Sequence, residues 1–147
     1  MFKRKTVQII LFSLFLSAML LNMGLADNYI EYKLTPDEFT TLLTKIVGIY
    51  TVHLAVMFGC FFNSSVSGGN AEMTGHEKTS AIVIMILSIS WNFMITITVL
   101  NYADKCIKEM PFPMFENRLE SVTGAINFLI AGGLAYFFSI KTQNEAR

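Results

Sequence analysis

The eleven basic and eleven acidic residues of this 147-residue chain leave four long stretches without any charge: 6–26, 46–71, 79–103 and 121–140. That segregation constrains the fold more than any motif, because a helix of a water-soluble domain carries charged residues along its outer face. A bilayer core is about 30 Å thick and a helix rises about 1.5 Å per residue, so about 20 apolar residues suffice to cross it. Each stretch meets that length. Their Ile, Leu, Phe, Met and Val residues follow no strict alternation, which fits helices rather than the tilted strands of a membrane barrel. Composition agrees, with 53% hydrophobic and 15% charged residues against about 25% charged in an ordinary soluble domain. The sequence therefore predicts an all-α, polytopic membrane protein. It forms a single transmembrane domain over residues 1–147, an antiparallel bundle of four helices with spans at about 6–26, 46–66, 79–103 and 121–140. The short connections leave no room for a separate soluble catalytic or ligand-binding domain.

The first span has two readings. Lys3-Arg4-Lys5 followed by an apolar core and Gly24-Leu25-Ala26 has the form of a secretory signal, with cleavage before Asp27. Retention as a first transmembrane helix is the expectation. The basic start places the N-terminus in the cytoplasm by the positive-inside rule, and four crossings return Lys141 and Arg147 to the same side. The expected location is the bacterial inner membrane, with both termini cytoplasmic. Asp27, Glu31, Asp37, Glu38, Asp104, Glu109, Glu116 and Glu120 then all fall outside.

Thr35-Pro36-Asp37-Glu38 reads as a helix start, with Thr as N-cap, Pro at the first helical position and Glu three residues after the cap. No breaker follows until the Ser/Gly-rich segment after Phe62, which predicts a helix of roughly 27 residues, about 40 Å, projecting beyond the outer face. Thr74 with Glu77 forms a second capping box, starting a helix that runs through the third span towards Lys108 and is likewise extended outwards. Residues 63–79 are expected to form a flexible cytoplasmic connection, so the glycosylation triplet Asn63-Ser64-Ser65 faces the wrong side. In Met110-Pro111-Phe112-Pro113-Met114-Phe115 the two prolines are expected to exclude regular helix. Phe112, Met114 and Phe115 are the candidate outer contact, against the plainer reading of a segment resting at the membrane interface.

No Asp, Glu, Lys or Arg lies within a span, which argues against proton relays, voltage sensors and ion-coupled transport. His53 is the titratable exception. Ser88, Asn92 and Thr96 form a polar stripe beside Trp91 on the third span, and Asn127 lies at the depth of His53 on the fourth. These residues are expected to face protein, with His53, Asn92 and Asn127 as a cluster. Gly124, Ala131, Gly132 and Gly133 are the expected small residues for close helix packing. Two roles stay open: hydrogen-bonding glue between helices, worth about 0.6 to 2 kcal/mol per bond, or the lining of a pore shared between subunits.

Cys60 and Cys106 fall on opposite sides of the membrane, so no internal disulfide is expected. His53 and His76 lack metal-ligand spacing, and no metal or cofactor is expected. Nucleotide and nucleophile-elbow motifs are absent from the sequence, and zero net charge without a basic patch argues against nucleic acid. The expectation is a non-enzymatic, homo-oligomeric membrane sensor or anchor subunit of a larger assembly, with the lipid bilayer and a soluble cytoplasmic protein as partners. The alternative is a channel or pore-forming subunit for ions or small solutes.

In its basic start Lys3-Arg4-Lys5, its four uncharged spans and its near absence of soluble mass, the whole chain resembles the small multi-span membrane subunits of bacterial anti-phage defence systems such as Kiwa. The resemblance rests on architecture, without a specific motif. It implies a homo-oligomeric membrane sensor coupled to a soluble cytoplasmic effector.

Overall fold

The computed structural model describes residues 3–62, 73–105 and 109–139. Every element among them is helical: α1 (Arg4–Tyr29), a 3-10 turn (Glu31–Lys33), α2 (Pro36–Phe62), α3 (Gly75–Lys105) and α4 (Phe112–Ser139). Three helices are long and apolar enough to cross a membrane, Arg4–Tyr29, Pro36–Gly59 and Gly75–Asp104. A fourth joins them if the two segments of α4, Phe112–Gly124 and Ile126–Phe138, bent by 40°, are one span. This is the signature of a multi-pass membrane protein.

Helix starts follow the capping chemistry. At α2 the Thr35 N–H donates to Glu38 Oε2 at 3.0 Å, Thr35 Oγ1 donates to the same oxygen at 2.9 Å, and the Glu38 N–H donates back to Thr35 Oγ1 at 3.3 Å. The bonds from Thr35, backbone first and hydroxyl second, hold the Glu38 carboxyl below its ordinary acidity range. At α3 the Thr74 N–H donates to Glu77 Oε2 at 2.8 Å and the Glu77 N–H to Thr74 Oγ1 at 3.4 Å.

The start of α4 departs from expectation. Instead of excluding helix, the two prolines open one: Pro111 sits just before the first turn, where its carbonyl accepts the N–H groups of Met114 and Phe115 at 3.0 and 3.2 Å. Pro113 lies within that turn, where its missing N–H has no intrahelical partner to lose.

The principal helix contacts are α1 with α2, α2 with α4, α4 with α3, and α3 with α1, so the helices run around the bundle in the order α1, α2, α4, α3. Cross-links give their directions. Arg4 meets Glu77, Asn22 meets Thr96 and Lys33 reaches the Ala103 carbonyl, so α1 and α3 advance in parallel. Lys45 pairs with Glu116 at 2.6 Å and with Glu120, and both bonds raise the Lys45 ammonium's affinity for its proton, Glu116 first. Chain neighbours therefore alternate in direction. We call the end where α1 begins basal and the end holding the 3-10 turn distal.

Buried positions recur at steps of three and four: Val7, Leu11, Phe15, Ala18, Asn22 and Ala26 on α1, and Ala81, Ile84, Ser88, Trp91, Ile95, Val99 and Tyr102 on α3. That spacing keeps one stripe of each helix on its neighbours, as in left-handed bundles. The outer surface is apolar. Ile9, Leu20, Val52, Phe58, Ile86, Phe93, Phe128 and Leu129 point outwards, Phe128 with 83% of its surface exposed. An apolar skin around a polar-bearing interior inverts the arrangement of a water-soluble bundle.

Candidate functional site

At mid-depth the core is an aromatic and polar layer. Phe15 from α1, Tyr50 and His53 from α2 and Trp91 from α3 are fully buried. Trp91 lies 5.7 Å from Phe15, 5.6 Å from Tyr50 and 4.9 Å from His53 between ring centroids, edge-on to the last two. Such edge-to-face pairs add about 0.5–1.5 kcal/mol beyond area burial. The indole N–H of Trp91 donates to the Thr123 carbonyl at 3.4 Å, while Thr123 Oγ1 donates to Leu119 O at 2.9 Å and Glu120 O at 3.0 Å. A mid-helix carbonyl drawn sideways and a hydroxyl bonded back into the preceding turn are both causes of helix bending, and they sit where the two segments of α4 meet.

On the distal side of this layer, Asn22 Nδ2 donates to Ala18 O at 2.8 Å, Tyr50 Oη at 3.0 Å and Thr96 Oγ1 at 3.1 Å. This side chain ties α1, α2 and α3 together. Sequence reasoning passed over it, although a carboxamide inside an uncharged stretch is itself the signal: in lipid it must find a partner within the protein.

The predicted polar residues divide. His53 and Asn127 come near one another across α2 and α4. Neither His53 nitrogen nor Asn127 Oδ1 reaches hydrogen-bond geometry. Asn92 is buried but donates to its own helix, to Ser88 O at 2.7 Å, and no bond joins it to His53 or Asn127. Ser88 is buried with its hydroxyl unpartnered, and Thr96 is half-buried on Asn22. Ser88 and Asn92 thus point into the bundle of a single chain, not onto an outer face that subunits would share.

Of the small residues, Gly133 makes the close approach: a Cβ there would stand 3.2 Å from Ile84 Cγ1. At Gly124 and Gly132 a Cβ would meet nothing within 4 Å, and Ala131 is half-buried. Of the expected outer contact, Phe112 and Phe115 turn inwards because the proline-opened helix carries them onto the core. Phe115 stacks on Tyr102 at 4.0 Å, 8° from parallel. Met114 alone of the three is free to meet a partner, at 59% exposure.

Charged contacts bracket the layer at both ends. At the basal end Arg4 pairs with Glu77, and both side chains are largely buried. At the distal end stand Lys45 with Glu116 and Glu120, and Lys33, whose ammonium donates to Ala103 O at 2.6 Å, a cation on the last turn of α3 where the helix dipole favours it. Cys106 and the triplet 63–65 lie outside the described residues. Among the described residues, no group of three or more His, Cys, Asp or Glu side chains is placed to hold a metal ion. No family model matches this chain, and no curated protein or solved structure matches it either.

Proposed function

We propose that this chain is a non-enzymatic, homo-oligomeric anchor or sensor subunit of a larger assembly in the bacterial inner membrane. In this reading α1 is retained, four spans return both termini to the cytoplasm, the distal ends of α2 and α3 project outside, and a soluble cytoplasmic protein couples to residues 63–79 and the termini. The Kiwa-like resemblance extends it to a membrane sensor in anti-phage defence.

The observation that carries this reading is how the polar core is used. Asn22 bonds both Tyr50 and Thr96, Trp91 bonds Thr123, and Asn92 bonds its own helix, while the surface at membrane depth is apolar. Such a bundle is held together by its polar groups and presents none of them to a solute. The channel reading, in which the Ser88, Asn92 and Thr96 stripe lines a conduit, is less well supported, because the rings of Phe15, Tyr50, His53 and Trp91 fill the same depth.

The test is the mass of the detergent-purified protein together with solute flux through proteoliposomes. A defined multiple of 16.5 kDa with flux no greater than in empty vesicles is the expected result. Flux that Asn92→Leu abolishes while the mass stays unchanged would put the channel reading first.

A further inference from the structure

At the basal end α1 and the start of α3 enclose a groove of about 110 Å³ lined by Val7, Met73, Lys78, Ala81, Ile82 and Met85. We propose that this groove seats an acyl chain of an anionic phospholipid, with the Lys78 ammonium at its mouth receiving the headgroup phosphate. The proposal rests on the membrane reading above.

Among the described residues that line the groove, Lys78 is the only one with a polar side chain, and it is the last charge before the uncharged stretch that holds Ala81, Ile82 and Met85. The groove therefore crosses the boundary between charged end and apolar span, the depth at which a phospholipid changes from phosphate to hydrocarbon. A lysine stem lies along apolar surface while its ammonium stays at the rim. An apolar cavity of about 150 Å³ takes up benzene, so this one takes a few methylene groups. The rest of the chain has a path along Ile82, Ile86 and Ile89, which are 56%, 58% and 53% exposed and succeed one another along α3.

Charge selects the headgroup. Lys3, Lys5 and Lys78 are exposed at this end. Glu77 is the one carboxylate among the described residues there, and Arg4 engages it. α1 and α3 begin here while α2 and α4 end here, so their helix dipoles offset one another and the selection rests on the lysines. Basic residues at this depth attract anionic lipid and repel the cation of a choline headgroup.

The experiment is native mass spectrometry of the full-length protein in detergent with equimolar dioleoyl phosphatidylglycerol and dioleoyl phosphatidylcholine. We expect phosphatidylglycerol adducts to predominate. Lys78→Gln should reduce the preference about fivefold, the worth of one basic residue beside an anionic surface. Ile82→Trp, across the mouth of the groove, should remove the tightly held lipid, and Phe128→Trp on α4 should leave it in place. Equal adducts of the two lipids, or a preference that neither Lys78→Gln nor Ile82→Trp changes, would overturn the site. So would displacement of phosphatidylglycerol by equimolar oleate, which would make the occupant a free fatty acid. A protein that stays in solution without detergent would instead refute the membrane reading.

Discussion

Arg4 and Glu77, 73 residues apart in sequence, form an ion pair at the basal end, and the second carboxylate oxygen of Glu77 holds the Thr74 N–H. One carboxylate thus fixes both the start of α3 and its register against α1. Removing one partner of a buried pair leaves the other charge desolvated, which costs more than the pair contributes net. Glu77→Ala should therefore lower the detergent unfolding midpoint more than Glu77→Gln, which keeps an oxygen for Thr74. A double-mutant cycle with Arg4→Ala should give a coupling of about 1 kcal/mol or more. Additive single effects would show that the pair does not couple the helices.

Asn22→Leu should destabilise the bundle by about 1–2 kcal/mol, since it removes the bonds to Tyr50 and Thr96 and interhelical bonds in membranes are worth about 0.6 to 2 kcal/mol each. Asn92→Leu should cost less, because its one bond stays within α3. Denaturation of the two variants in mixed micelles gives the comparison, and the reverse order would contradict the assignment of Asn22 as the tie between three helices.

Gly133 and Gly132 are adjacent but should respond oppositely. Gly133→Leu drives a side chain into Ile84 and should cost about 1–3 kcal/mol, the range for overpacked sites. Gly132→Ala enters open space within a helix and should stabilise by about 0.5–1 kcal/mol. Thermal unfolding of both variants in one detergent decides it.

The capping box of α2 predicts an acid response. Glu38 has a lowered folded-state pKa because it accepts bonds from Thr35. Its stabilising contribution is therefore present above the ordinary carboxylate range and is lost as pH falls through the lowered value. Thr35→Ala should weaken the start of α2 at neutral pH and flatten that part of the pH dependence. Unfolding midpoints measured from neutral to acidic pH would reveal an unchanged slope if the bonds do not form.

The start of α2 at Pro36 and that of α3 beside Thr74 were legible because capping is local: donor, acceptor and spacing all lie within four residues. The buried positions of Ser88 and Asn92 were legible from an uncharged stretch with a polar stripe. The opening of α4 was not, since proline both ends helices and starts them, and the choice here depends on Phe115 finding Tyr102 across the bundle. Nor does spacing reveal which glycine meets a neighbour. Gly132 and Gly133 are equivalent in sequence, and the rotation of α4 against Ile84 alone separates them.

The parallel pairing of α1 with α3 also carries a schedule. The partners of Arg4 and Asn22 on α3, Glu77 and Thr96, are synthesised 73 and 74 residues later, about 4 to 15 s at ordinary elongation rates. Through that interval the first helix holds a cation and a carboxamide whose α3 partners have yet to emerge. Its assembly is thus timed by the ribosome, and a chain halted before α3 offers those two groups to whatever insertion machinery or chaperone stands beside it.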